Sequence, residues 1–150
     1  MKLHFEDLVE GTVFRGDDCA VDHTEMLEYA RKNDPSPIHV DEEAAARSLY
    51  KGLIASGGYT VTLWYRSAIP IAEKIAFLGG LEWHIKLLNP VRAGDTLRTE
   101  ITITSKKPST KLGRGYVNTT QQVVNQAGQP VFTCEVAWIV ATKPERSSAA

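Results

Sequence analysis

Nothing in this sequence points to a membrane, an oxidising compartment or a polyanionic partner. No apolar stretch approaches the roughly 20 residues that a membrane-spanning helix needs. The opening run Met1-Lys-Leu-His-Phe-Glu-Asp-Leu-Val-Glu-Gly11 carries no continuous apolar segment of signal-peptide length. With 17 Lys and Arg against 18 Asp and Glu, the formal net charge is −1. That balance provides no electrostatic footprint for nucleic acid or an anionic membrane surface. The 2 cysteines, Cys19 and Cys134, are far apart and belong to no Cys-x-x-Cys or Cys/His motif. Two reduced thiols in a cytoplasmic protein are therefore expected. His4, His23 and His84 are scattered without ligand spacing, so no metal is expected. There is no dinucleotide or P-loop glycine pattern, and hence no cofactor is expected. Internal repeats and low-complexity segments are also missing.

What remains is a chain of 150 residues, 43% hydrophobic and 23% charged. That size fits one domain with a moderate core. The expected domain spans residues 1–143, with 144–150 as a frayed tail. A short strand is expected around Thr12-Val-Phe14, then a helix from Glu25 to Arg31 that fails at Asn33 because Pro35 cannot continue it. A second, Ala-rich helix is expected from Glu42 to Tyr50, with Asp41 as its N-cap. The run Ser56 to Ile69 is apolar on nearly every side, which marks a buried helix that Pro70 should end or kink. After Gly79-Gly80 the period changes to two. Leu81, Trp83, Ile85 and Leu87 alternate with polar residues as a half-buried strand, and Thr96 to Thr104, Tyr116 to Val124 and Val131 to Val140 follow. Asn125-Gln-Ala-Gly-Gln supplies a hairpin loop between the last two. Strands gathered after helices indicate an α+β fold with an antiparallel sheet.

The chemistry concentrates in Asp34-Pro-Ser-Pro-Ile-His39-Val-Asp41 and the following Gly52-Leu-Ile-Ala-Ser-Gly-Gly58. Pro35 and Pro37 restrict both their own φ and the residue before them. Asp34 and His39 thus sit on a segment with few conformations, which suits a pair sharing one small target. An Asp ahead of a turn is also a common backbone cap, and that reading stays open. The double glycine at the start of the apolar helix can aim backbone N–H groups at developing negative charge. It can equally serve close helix–helix packing. Ser56 reads most simply as the N-cap of that helix.

Tyr29-Ala-Arg-Lys-Asn-Asp34-Pro-Ser-Pro-Ile-His39-Val-Asp41 resembles the Tyr-Ala-x-x-Phe-Asp-Pro-Gln-Pro-Phe-His-x-Asp motif of the MaoC-like acyl dehydratases. Leu87-Leu-Asn-Pro-Val-Arg-Ala-Gly-Asp-Thr-Leu97 and Asn125-Gln-Ala-Gly128 are similar to later turns of the same family, so the resemblance runs from about Phe5 to Val140. It implies a hot-dog fold, in which an antiparallel β-sheet wraps a central α-helix, and at least a homodimer. It also implies an enoyl-CoA hydratase or 3-hydroxyacyl-CoA dehydratase activity on a coenzyme A or carrier-protein thioester. By the same resemblance Asp34 and His39 are the acid–base dyad and Gly57 supplies the oxyanion donor. Ser56, Gly58 and Tyr59 are then the neighbouring substrate-binding positions. Relatives often carry Ser-Gly-Trp-His-Thr where this chain has Ser56-Gly-Gly-Tyr59-Thr60, which alters the pocket. Lys106, Lys107, Lys111 and Arg114, with Arg92 in a separate turn, are candidate contacts for coenzyme A phosphates; a solvated basic loop is the other reading. Two alternatives have different requirements. A thioesterase of this fold usually places a carboxylate near the central helix, and Ser56 to Ala68 contains none. A non-enzymatic acyl-ligand module is compatible with the fold alone.

Overall fold

The computed structural model describes residues 1–145. Of the expected tail, residues 146–150 lie outside the described residues. Three long strands follow one another as an antiparallel meander: β4 (Thr96–Pro108), β5 (Arg114–Val124) and β6 (Pro130–Ala141). Their period of two appears as burial. Leu97, Thr99, Ile101 and Ile103 of β4, and Phe132, Cys134, Val136, Trp138 and Val140 of β6, all turn into the core. β1 (Val13–Arg15) and β2 (Cys19–Ala20) pair with β4, and β3 (Phe77–Leu87) closes the other side on β6. The sheet order is β1-β4-β5-β6-β3, with β2 beside β4.

Four helices precede the long strands: α1 (His23–Asn33), α2 (Pro37–Val40), α3 (Glu42–Arg47) and α4 (Gly57–Lys74). α4 is the central helix and buries Tyr59, Thr60, Leu63, Trp64, Ser67 and Ile71. Its polar core contacts are specific. Trp64 Nε1 donates to Gln121 Oε1 at 2.8 Å, and Gln121 Nε2 donates to Thr119 Oγ1 at 3.0 Å. Ser67 Oγ donates to the Asp17 carbonyl and accepts from Thr99 N–H. These bonds fix the rotation of α4 on the sheet, because a buried polar group that loses its partner costs about 1–3 kcal/mol. Such an antiparallel sheet wrapped on one helix is the expected α+β hot-dog architecture.

Several local expectations change. α4 continues past Ile69 to Lys74 with Pro70 inside it. Proline there removes one donor near the end of the helix, while Ile71 and Ile75, each 1% exposed, hold the last turns against the core. Nor is the helix enclosed on every side, since Tyr65 and Ile69 are about half exposed. β3 was expected half-buried, yet none of its residues is buried. It is an edge strand, and its apolar side chains are only partly covered, Trp83 by Trp64 and Tyr65 and Phe77 by Trp138. α3 stops at Arg47, where the Ser48 hydroxyl donates to the Ala45 carbonyl and leads into a turn with Lys51 at φ +58°. Finally, the segment after Asp34 contains a single helical turn, α2, started by Pro37 at N1.

The N-terminal segment clasps the far end of the sheet. Leu3 pairs with Ile75, and the Phe5 ring lies against Gly115, where an added Cβ would stand 2.3 Å from it. Lys106 Nζ donates to the Phe5 carbonyl, and Lys143 N–H donates to Glu6 Oε2.

Candidate active site

Asp34 is the residue at which α1 ends, its N–H still donating to the Ala30 carbonyl. Its carboxylate accepts from no backbone N–H among the described residues, so it is free of capping work. His39 rides on α2, five positions on. The sequence suggests a proline-stiffened loop facing a cleft for both, and His39 is only 8% exposed. Its Nδ1 lies 2.8 Å from the Ile54 carbonyl. A carbonyl can only accept, so Nδ1 carries the proton, and a neutral ring would present the Nε2 lone pair on its other side. Facing that lone pair at 3.4 Å is Asp34 Oδ2. With the ring neutral and the carboxylate ionised, two acceptors look at one another across a gap longer than an ordinary N–H···O bond. A water to one side of that gap, within reach of both atoms, can donate one proton to each.

From Ile54 the chain runs directly into Ser56 and the N-terminus of α4. Asp41 caps α3 as expected, accepting from Ala44 N–H. Ser56 occupies the N-cap position of α4, but its hydroxyl makes no capping bond. The N–H groups of Gly57, Gly58 and Tyr59 consequently have no acceptor among the described residues. The two glycines separate into different roles. A Cβ on Gly58 would lie 2.3 Å from the Tyr29 hydroxyl, so Gly58 allows α1 to approach α4. A Cβ on Gly57 would meet only the flexible tip of Leu87 at 2.9 Å, leaving the donors of this turn approachable.

Tyr59 points inward. It is 1% exposed, and its hydroxyl donates to Glu25 Oε1 at 2.8 Å. Arg66 Nη1 reaches the same oxygen at 2.7 Å. Burial first, and then the Glu25 carboxylate, push the Tyr59 hydroxyl pKa upward. Glu25 itself is held below its ordinary value, first by Arg66 and then by Tyr59. Sequence reasoning had no signal for this α1–α4 clamp. Because the folded-state pKa of Glu25 is lowered, its contribution is present above the ordinary carboxylate range and lost as pH falls through the depressed value. Glu25→Gln should therefore lower stability at neutral pH by under about 1 kcal/mol, since both charged partners are well solvated. Denaturant titrations should show the difference vanish in acid; a gap that persists there would contradict the assignment.

The basic residues divide as well. Arg92 lies beside the site, its guanidinium donating to the carbonyls of Tyr50 and Leu53. Lys106 and Lys107 lie at the other end of β4 from Thr96, about 30 Å away at the usual strand rise. Lys111 and Arg114 belong to that same distant turn. One chain does not bring these four to Asp34 and His39. A cavity of about 420 Å³ opens between α4 and β3, lined by residues including Trp64, Tyr65, Ile69, Phe77, Trp83 and Trp138. Among the described residues no group of three or more His, Cys, Asp or Glu is gathered to hold a metal. No described helix is long and apolar enough to cross a membrane.

An antiparallel sheet wrapped on a central helix defines the class as hot-dog. Residues 5–125 match the family described as MaoC like domain, and the chain belongs to that family. A solved MaoC-like dehydratase from Rhodospirillum rubrum is 33% identical, over 95% of this chain and 99% of that one, with a TM-score of 0.86. The (R)-hydratase PhaJ1 from Pseudomonas aeruginosa, 24% identical, shares the fold with a TM-score of 0.72 over 95% of this chain and 88% of that one. The uncharacterized protein YdeM of Bacillus subtilis is 29% identical over 145 residues, covering 93% of this chain and 99% of its own length.

Proposed function

We propose that this protein adds water reversibly to an α,β-unsaturated acyl thioester carried on coenzyme A or a carrier protein. The observation behind this reading is the approach of Asp34 Oδ2 to His39 Nε2, 3.4 Å apart. A water within reach of both atoms is oriented and made more nucleophilic by them. As its oxygen bonds to C3, the pair takes up one proton and returns a proton to C2, ending as it began. The C2–C3 double bond becomes a single bond bearing H on C2 and OH on C3; dehydration reverses these steps. Negative charge that gathers on the thioester oxygen finds the free N–H groups at the start of α4, with Gly57 giving the closest approach. Ser56 and Gly58 flank that point, and the apolar groove between α4 and β3 leaves room for the acyl chain. The MaoC-like membership and the dehydratase from Rhodospirillum rubrum support the same reaction class. Incubation with crotonyl-CoA and longer enoyl-CoAs should bleach the conjugated thioester absorbance. Persistence of that absorbance with every enoyl thioester would overturn the proposal.

The cytoplasm and a homodimer complete the reading. Among the described residues β3 leaves one row of backbone donors and acceptors unpaired, beside exposed Leu81, Trp83, Ile85 and Leu87. Unprotected edges of this kind invite a second strand. Sedimentation at micromolar concentration should give a dimer, and Ile85→Lys should shift it toward monomer. A monomeric wild-type protein would count against this assembly.

A further inference from the structure

Arg92 was a candidate for phosphate contact, but its surroundings give it a different task. The segment Leu53-Ile54-Ala55 lies between two others. Ile54 N–H donates to the Ile38 carbonyl at 3.2 Å, and Ala55 N–H donates to the Val91 carbonyl at 2.8 Å. The Ile54 carbonyl, placed by these bonds, accepts from His39 Nδ1. Just upstream the backbone takes left-handed geometry, with Lys51 at φ +58° and Gly52 at φ +155°. Lysine there is strained, because its Cβ crowds the backbone in that region. Among the described residues the Arg92 guanidinium is the only donor to either Tyr50 O or Leu53 O, which flank this strained turn. Its Nη1 also packs against Gly52, 3.3 Å from where a Cβ would stand. Arg92 is itself fixed, since Asp95 Oδ2 accepts from its backbone N–H.

We infer that Arg92 is a positioning residue: its planar fork locks the 50–53 turn and thereby aims the Ile54 carbonyl that sets the tautomer and orientation of His39. This rests on the hydratase reading for its consequence in catalysis, but the effect on His39 stands apart from it. Two carbonyls are bridged by one rigid group, a task that a lysine ammonium on a flexible stem does not reproduce. Releasing the turn lets the Ile54 carbonyl shift and His39 Nε2 turn away from Asp34. A displacement of about 1 Å at a reacting group can cost on the order of 10²-fold in rate.

The test compares Arg92→Met and Arg92→Lys with wild type on two substrates, crotonyl-CoA and the crotonyl thioester of N-acetylcysteamine, which lacks every phosphate. If Arg92 positions His39, kcat should fall by about 10²-fold on both substrates, with KM little changed and no rescue by Lys. A loss confined to crotonyl-CoA, restored by Lys, would overturn the inference in favour of a phosphate contact. So would wild-type kcat in both variants. A second readout needs no substrate. Nitrogen-15 spectra of the imidazoles, with the His39 signals identified by their loss in His39→Gln, should show the Nδ1–H tautomer in wild type and a changed tautomer balance in Arg92→Lys. An unchanged His39 signature would overturn the inference even if the wild-type protein hydrated no enoyl thioester, an outcome that would separately sink the proposed reaction.

Discussion

Asp34→Asn and His39→Ala should each lower enoyl-thioester hydration by about 10²–10⁴-fold, the usual contribution of a positioned acid–base group. The two changes should differ in what they do to the fold. Asp34 has a half-exposed carboxylate that caps no backbone group among the described residues, so Asp34→Asn should keep the melting temperature of wild type. His39 is buried, and removing its ring leaves the Ile54 carbonyl without a partner. His39→Ala should consequently lose about 1–3 kcal/mol of stability in addition to activity. The double variant should turn over scarcely more slowly than either single one, because groups acting on one water form a unit. Activity and thermal unfolding measured on the same three proteins decide the matter. Retained turnover in Asp34→Asn would remove the pair from the mechanism.

Gly58→Ala should be nearly as damaging by another route. The new methyl would stand 2.3 Å from the Tyr29 hydroxyl, and 3.2 and 3.3 Å from two of its ring carbons. Tyr29 belongs to α1, which ends at Asp34, so the clash drives apart the helix carrying the carboxylate and the helix supplying the N–H groups. Overpacking of this kind costs roughly 1–3 kcal/mol, and hydration should fall with it. The hydroxyl is the nearest offending atom. Tyr29→Phe should therefore recover part of the stability in the Gly58→Ala background while doing little alone. A Gly58→Ala protein with wild-type melting and turnover would show that α1 and α4 do not need this close approach.

Regular periodicity made most of the sheet legible. In β4 and β6 the alternation of apolar residues becomes burial almost position by position, because the face that meets α4 excludes water. The same alternation in β3 was misleading: period two reports which residues share a face, not whether that face is covered, and a strand at the edge of the sheet stays largely exposed. Pro70 misplaced the end of α4 because local propensity loses to the burial of Ile71 and Ile75 beyond it. Gln121, polar and in a strand, gave no sign of being buried against Trp64. At the candidate site the spacing of Asp34 and His39 was readable, but the partner that fixes the ring was not. A backbone carbonyl, here that of Ile54, has no sequence signature. Arg92 likewise reads as a free charge until the strained turn it braces is in view.

The N-terminal clasp has a consequence for the order in which the chain can be completed. Phe5 lies under a contact from Lys106, and Glu6 is held by the Lys143 backbone, 101 and 137 residues further along the chain. On the ribosome these residues thus emerge long before their partners do. At a synthesis rate of roughly 5–20 residues per second the wait is on the order of ten seconds. Throughout it Phe5 and Leu8, both buried in the finished protein, have no core to enter. The meander β4-β5-β6 pairs neighbours and can close as soon as it is made, whereas the clasp must bear the loop-closure entropy of nearly the whole chain. Phe5 and Leu8 are therefore apolar surface that nascent-chain chaperones would find exposed for long.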